Sequence, residues 1–221
     1  MGKRGAKPKN KVRIEWSPKF AYALGLLATD GNLSPDGRHI NFTSKDKELV
    51  ELFMRCLNIK NHIGMKARGG EIRKKYYVVQ FGDVNFYSFL VSIGITPQKS
   101  KRIAALKIPS GYLLDFLRGH FDGDGTFYSY WDPRWKSSYM FYFYFYSASG
   151  KHIMWLQRVI AKKLGITGHV VLVKNRSAHS LRFAKRESLR LVKRLYSEGA
   201  VCLLRKRLKI EKALSIIGIR L

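Results

Sequence analysis

Apolar positions along the chain recur with two periods, three-to-four and two, in an order that the sequence runs through twice. Ser17-Pro18 starts a helix, with the serine as N-cap and the proline at the first helical position, where its missing N–H costs nothing. The helix continues through the apolar stretch 21–28 to Asp30, and Gly31 is expected to close it in a left-handed cap. Ser34-Pro35-Asp36-Gly37 is turn chemistry. Residues 39–43 alternate, with Ile40 and Phe42 on one face of a strand. A helix opened by Ser44 to Asp46 places Leu49, Leu52, Phe53 and Leu57 on one stripe. A basic hairpin around 66–75 leads into a strand over 76–81. A helix over 84–93 stops at Gly94, and a short helix runs to Leu106.

The order then recurs. Pro109-Ser110 is expected to cap a helix reaching about Gly125, followed by a strand and loop over 126–135. Residues 140–146 place Phe141, Phe143 and Phe145 on one strand face and tyrosines on the other. A helix over 151–164 ends at Gly165, strands 169–174 and 180–183 form a hairpin, and a helix over 187–196 is stopped by Gly199. A last basic helix begins near Leu203. The halves align in order: Asp30 with Asp124, Phe42-Thr43-Ser44 with Phe145-Tyr146-Ser147, and Phe81 with Phe183. The interval between mates lengthens after the second aspartate, which puts an insertion in the loop over 128–138. Ordered agreement of motif, strand and helix stops indicates an internal duplication. The expected organisation is a basic flexible tail over 1–13, an N-terminal half over 14–106 and a C-terminal half over 107–221.

The centre of each half is one segment. The first copy is Ala23-Leu24-Gly25-Leu26-Leu27-Ala28-Thr29-Asp30-Gly31, and the second is Leu117-Arg118-Gly119-His120-Phe121-Asp122-Gly123-Asp124-Gly125. Gly25 and Thr29, like Gly119 and Gly123, are four apart and share a helix face, so two such helices can approach backbone to backbone. Packed together, they bring Asp30 and Asp124 to a common end. Two neighbouring carboxylates repel unless a cation lies between them, and oxygen ligands select a hard ion such as Mg²⁺. A single Asp-Gly would be read as a helix-ending turn; two in register point to a metal site. Asp122 has Ala28 as its mate and is expected to make a structural hydrogen bond or face solvent. Asp122-x-Asp124 does not open an EF-hand, since Phe127 and Pro133 occupy the places of its glycine and final glutamate.

Charge narrows the partner. Lys and Arg number 42 against 15 Asp and Glu, a net +27, while 46% apolar and 13% aromatic residues indicate a folded chain. Repulsion of that size suits a polyanion, DNA or RNA first, with an anionic membrane surface as the runner-up. The apolar stretches are too short to cross a bilayer. Cys56 and Cys202 stand apart without metal spacing, which fits a reducing compartment; the protein is expected to be cytoplasmic and nucleoid-associated, or organellar, and not secreted. The histidines show no zinc-protease spacing, and no phosphate-binding glycine loop is present.

The paired motifs resemble those of the LAGLIDADG homing endonucleases, in the single-chain form with two motifs. The Asp-Gly-Asp-Gly ending of the second copy and the run Ile95-Thr-Pro-Gln-Lys-Ser-Lys101 resemble one subgroup, and the likeness covers about residues 14–215. It implies an α+β fold of two pseudo-twofold αββαββα halves packed through their motif helices, with curved antiparallel sheets forming a saddle over DNA. It implies hydrolysis of both strands of a long double-stranded DNA site by a monomer. Two or three divalent ions, Mg²⁺ by expectation, would be shared by Asp30 and Asp124, with the backbone carbonyls of Thr29 and Gly123 completing the shell. Lys45, Lys99 and Lys206 are candidates for organising water and neutralising charge; Ala148 is the mate of Lys45, so the two cleavage sites are expected to be chemically unequal. The chain starts and ends without the residues of a splicing module and is expected to be free-standing and intron-encoded. A maturase that binds intron RNA, or a non-catalytic DNA-binding regulator, is the rival from another class.

Base reading is expected from the strand faces opposite the apolar ones: Asn41, Gln80, Tyr144 and Arg182. Arg38, Lys66, Arg68, Arg73, Lys136, Lys174 and Arg176 lie in turns and hairpins, where phosphate contact is expected. Tyr142, Tyr144 and Tyr146 either contact nucleic acid or are ordinary sheet tyrosines.

Overall fold

A computed structural model describes residues 10–68, 71–173 and 178–221, without the side chains of residue 68 and of 71–74. The first unit runs α1 (Pro18–Asp30), β1 (Gly31–Leu33), β2 (His39–Ser44), α2 (Lys47–Leu57), β3 (Gly64–Arg68), β4 (Glu71–Gly82), α3 (Val84–Ile93) and α4 (Lys99–Arg102). The second runs α5 (Leu113–Asp124), β5 (Thr126–Trp131), β6 (Tyr139–Ser147), α6 (Gly150–Leu164), β7 (His169–Leu172), β8 (His179–Phe183), α7 (Lys185–Leu195) and α8 (Leu204–Ser215). Each unit has one antiparallel four-stranded sheet, in the orders β1-β2-β4-β3 and β5-β6-β8-β7. The protein is therefore α+β, with the topology of one unit repeated in the other.

Local chemistry accounts for most boundaries. Ser17 caps α1, its hydroxyl accepting from the Phe20 amide at 3.2 Å. Asp46, Asp83 and Ser149 cap α2, α3 and α6 in the same way. Gly94 and Gly165 stop α3 and α6 in the left-handed conformation, with φ of 104° and 62°. Ile40, Phe42, Phe141, Phe143, Phe145 and Phe183 are buried and form the inner faces of the two sheets.

Four expectations are corrected. Gly31 is extended, not left-handed (φ −78°, ψ 157°), because the chain passes directly from α1 into β1 and pairs with Phe42. A glycine is needed there for space: a Cβ would lie 2.7 Å from the Leu27 carbonyl oxygen. Ser110 does not cap α5; it opens a single 3-10 turn (Ser110–Tyr112) that feeds the helix. The helix expected to reach Leu106 is one turn long, and the chain beyond it has no regular secondary structure as far as Pro109. The start of the chain was expected to be a loose basic tail to Arg13. Residues 1–9 lie outside those described, but the Lys11 and Val12 amides both donate to Asp83 Oδ2, at 2.8 and 3.0 Å, and Val12 is buried.

Candidate metal and nucleic-acid site

The two motif helices pack so closely that each glycine faces backbone. A Cβ on Gly25 would lie 2.2 Å from the Phe116 carbonyl oxygen, and one on Gly119 would lie 2.0 Å from that of Tyr22. At the next turn Gly123 abuts Thr29 and Asp30; a Cβ there would meet Thr29 Oγ1 at 2.0 Å and Asp30 Oδ2 at 2.8 Å. The stripe of small residues thus carries both aspartates to one end of the helix pair, where they line a cleft of about 480 Å³. Asp30, Asp124, Lys99, Asn41, Lys66 and His120 are among its walls.

Burial, and next the charge of Asp124, push the Asp30 carboxyl up from 3.8 to about 7, against the pull of Thr29, Lys99 and Lys206. Lys99 is buried and its Nζ donates to the Thr29 carbonyl oxygen at 2.8 Å. Lys206 does the corresponding task on the other helix, donating to the carbonyls of Phe121 and Gly125 at 2.6 and 2.7 Å. Desolvation brings both ammonium groups down to about 8, although nearby carboxylates favour their charge. Each lysine ties the C-terminal carbonyls of a motif helix, where a cation is favoured by the helix dipole.

Among the described residues, no three His, Cys, Asp or Glu side chains converge on one point. A cation at this site would take two carboxylates, backbone carbonyls and water. That donor set suits a hard ion such as Mg²⁺, which keeps several waters. The elevated Asp30 fits this, since its charge is opposed by a second carboxylate that a cation would neutralise. The Thr29 carbonyl accepts from Lys99 and retains a second lone pair.

The remaining site candidates separate. Lys45 is exposed and lies over the Tyr76 ring, its Nζ 5.4 Å from the centroid, rather than on the cleft wall. Asn41 and Gln80 are register partners on β2 and β4, and Tyr144 and Arg182 are partners on β6 and β8, each pair on the face away from the core. Tyr142 is half-buried on that same face of β6, while Arg38 and Lys136 are exposed in loops. Lys174 and Arg176, and the side chains of Arg68 and Arg73, lie outside the described residues.

Two features had no sequence signal strong enough to place them. Asp122 is fully buried and joins both units: its Oδ2 accepts from the Tyr22 hydroxyl and the Leu203 amide, each at 2.7 Å, and its Oδ1 accepts from the Tyr196 hydroxyl at 2.6 Å. It is structural. Asp122→Asn keeps the two bonds to Oδ2 and reverses the third, its amide N–H₂ donating to the Tyr196 hydroxyl oxygen and leaving that buried hydroxyl proton without an acceptor, so urea unfolding should show a loss of about 1–2 kcal/mol. His120 and His152 form the second feature. Their rings stack with centroids 5.2 Å apart, and their Nε2 atoms are 3.1 Å apart. His152 Nδ1 donates to the Ala104 carbonyl at 2.7 Å, so its Nε2 accepts and His120 Nε2 donates. Burial holds both rings neutral, His152 down to about 4.

The sequence matches no protein-family profile and no curated protein sequence. Its architecture does match solved structures. The homing endonuclease I-WcaI bound to its DNA recognition sequence superimposes with a TM-score of 0.62 at 12% identity, covering 88% of each chain. I-DmoI in complex with DNA and Ca gives 0.58 at 16% identity, covering 87% of this chain and 97% of that one. Full-length DUF199/WhiA from Thermatoga maritima gives 0.57 at 14% identity; the match covers 95% of this chain but 65% of that longer protein. The chain therefore has the two-motif LAGLIDADG fold, a scaffold found in homing endonucleases and also in DUF199/WhiA. No helix among the described residues is long and apolar enough to cross a membrane.

Proposed function

We propose that this protein is a monomeric, site-specific endonuclease of double-stranded DNA that uses a divalent metal ion, Mg²⁺ by preference, and is encoded with the intron whose insertion site it cuts. The observation that carries this reading is the pair of carboxylates, Asp30 and Asp124, brought together at the ends of α1 and α5 and flanked by Lys99 and Lys206. The homing endonucleases of the same fold bind DNA, and one such structure contains DNA and Mn. A divalent ion held there would act as Lewis acid on the scissile phosphate and lower the pKa of a bound water.

The protein's own groups have distinct tasks. Asp30 and Asp124 are one carboxylate from each unit, so each can serve one strand. Lys99 and Lys206, brought down to about 8 by burial and therefore still mostly charged at pH 7, are placed to neutralise developing phosphate charge and to order water. Asn41, Gln80, Tyr142, Tyr144 and Arg182 face outward from the sheets as candidate base readers, with Arg38, Lys66 and Lys136 as phosphate contacts.

Cleavage of a cloned insertion junction in Mg²⁺, compared with Asp124→Asn, tests the proposal. Cutting should require the metal and vanish in the variant. Tight binding of intron RNA with no cutting of any junction would replace the nuclease by a maturase. Binding of duplex DNA should also weaken roughly 10³-fold between 50 and 200 mM salt, as expected for several neutralised phosphates. A flat salt response, read by fluorescence anisotropy, contradicts a polyanion partner.

A further inference from the structure

The outward faces of the two sheets are built from different chemistry at equivalent positions. In the first sheet one cross-strand row reads Asn32, Asn41, Gln80. The row at the same register in the second sheet reads Thr126, Tyr144, Arg182. Around Tyr144 stand Tyr128, Tyr130, Tyr142 and Tyr146, all half-buried or exposed, while Phe141, Phe143 and Phe145 supply the core behind them. The five rings form a continuous ladder with successive centroids 5.3, 6.3, 6.1 and 5.9 Å apart from Tyr128–Tyr130 through Tyr144–Tyr146. Beside it runs a groove of about 560 Å³ with Val171 and Arg182 in its walls.

Two nucleic-acid partners suit such a surface, and ring spacing distinguishes them. Unpaired bases would stack on ring faces. A base between two rings needs about 6.8 Å, two stacking layers of roughly 3.4 Å. Every gap in the ladder is narrower. The Arg182 guanidinium, 5.6 Å from the Tyr144 centroid, also occupies part of that ring's surroundings. Side chains stand roughly perpendicular to a sheet, so rings this closely spaced on one face offer outward their edges and hydroxyls rather than their faces. In a duplex major groove, apolar side chains meet the thymine C5 methyl, whereas Asn and Gln pair with adenine edges through two hydrogen bonds.

We infer that the second sheet reads thymine methyl groups, so that the half-site against it is rich in T·A pairs, while the first sheet reads purine edges through its amides. This rests on the duplex-DNA reading given above. The specificity residues are Tyr128, Tyr142 and Tyr144, aided by the methyl of Thr126.

Selection from a random duplex library in EDTA, where no cutting occurs, tests it with the full chain. One half of the selected consensus should be rich in T·A pairs. Tyr144→Asn, which copies its mate Asn41, and Tyr128→Asn should each alter the consensus in that half alone. Both positions are solvent-facing, and unchanged circular dichroism would establish that the variants fold. Replacing thymine by uracil in that half should weaken binding about three- to fivefold per methyl, the value of burying one such group, and less than twofold in the other half. A G·C-rich consensus there, or indifference to uracil, overturns the inference while leaving DNA binding intact. Stronger binding of single-stranded DNA or RNA than of duplex overturns it in favour of stacking. Absence of any duplex binding removes the underlying reading as well.

Discussion

Asp30→Asn should abolish metal-dependent cleavage and, in the same protein, raise the melting temperature of the metal-free form above pH 7. The first effect follows from the loss of one of two carboxylates available to a cation. Lewis-acid stabilisation worth several kcal/mol corresponds to a rate loss of about 10³-fold or more. The second follows from linkage. The Asp30 carboxyl is raised from 3.8 to about 7 by burial and by Asp124. Between those values the folded state binds more protons than the unfolded one, so stability falls as pH rises through that window. Below pH 4 the penalty is absent, and above about pH 7 it is complete, at most about 4 kcal/mol from the pKa difference. Asparagine resembles the protonated acid and can still accept from Thr29 Oγ1, which lies 3.2 Å from Asp30 Oδ2. Its stabilising effect should therefore be large at pH 8 and vanish near pH 4, which scanning calorimetry at both pH values would read. In the unmodified protein the metal must displace a proton, so the concentration giving half-maximal cutting should climb about tenfold per pH unit below 7. A variant that cuts at the original rate would remove Asp30 from the reaction. One that melts lower at pH 8 would mean its carboxylate is stabilised by the lysines more than it is opposed by Asp124.

The opposition between function and stability at Asp30 was partly visible in the chain itself. The pairing of Asp30 with Asp124 comes from a register that any two in-phase motifs reveal, and the small residues before them have no other common purpose. The strand faces were equally legible, because a period of two leaves Phe42 or Phe145 only one side to occupy. What local pattern could not carry was contact over long separations. Asp122 is indistinguishable by sequence from a solvated aspartate until Tyr22, Tyr196 and Leu203 converge on it from remote segments. Lys99 and Lys206 sit in basic runs where any lysine looks the same, and the resemblance offered them only beside Lys45; the burial of Lys99 and the helix-end carbonyls that both meet set them apart from it. Lys45, a candidate for its position after a strand, is itself exposed and ends over the half-buried Tyr76 ring of the same sheet. Glycine after a helix usually takes positive φ, whereas at Gly31 the tight passage into β1 sets the requirement.

Gly119→Ala should be the most destabilising single-methyl change in the motif helices. In a free helix alanine is favoured over glycine by about 1 kcal/mol, so any net loss must come from packing. The added Cβ would lie 2.0 Å from the Tyr22 carbonyl oxygen and 2.9 Å from its carbon. Both are main-chain atoms of α1, so no side chain can rotate away, and the helices have to part by more than 1 Å to restore ordinary contact. Parting strains the Tyr22–Asp122 bond and opens the gap between Gly123 and Asp30. Overpacking with one methyl costs 1–3 kcal/mol where neighbours adjust, and here they are two helix backbones, so a net loss of about 3 kcal/mol or more in urea unfolding is expected. Gly25→Ala, with its Cβ 2.2 Å from the Phe116 carbonyl oxygen, should behave alike. The double variant should lose less than the sum, because helices already separated by one methyl accommodate the second. Gly111→Ala is the control: nothing lies within 4 Å of a Cβ there, so its stability should match the original within about 0.5 kcal/mol. If Gly119→Ala unfolds at the same urea concentration as that control, the close approach of α1 and α5 is not what the glycine provides. The position of the two aspartates would then need another cause.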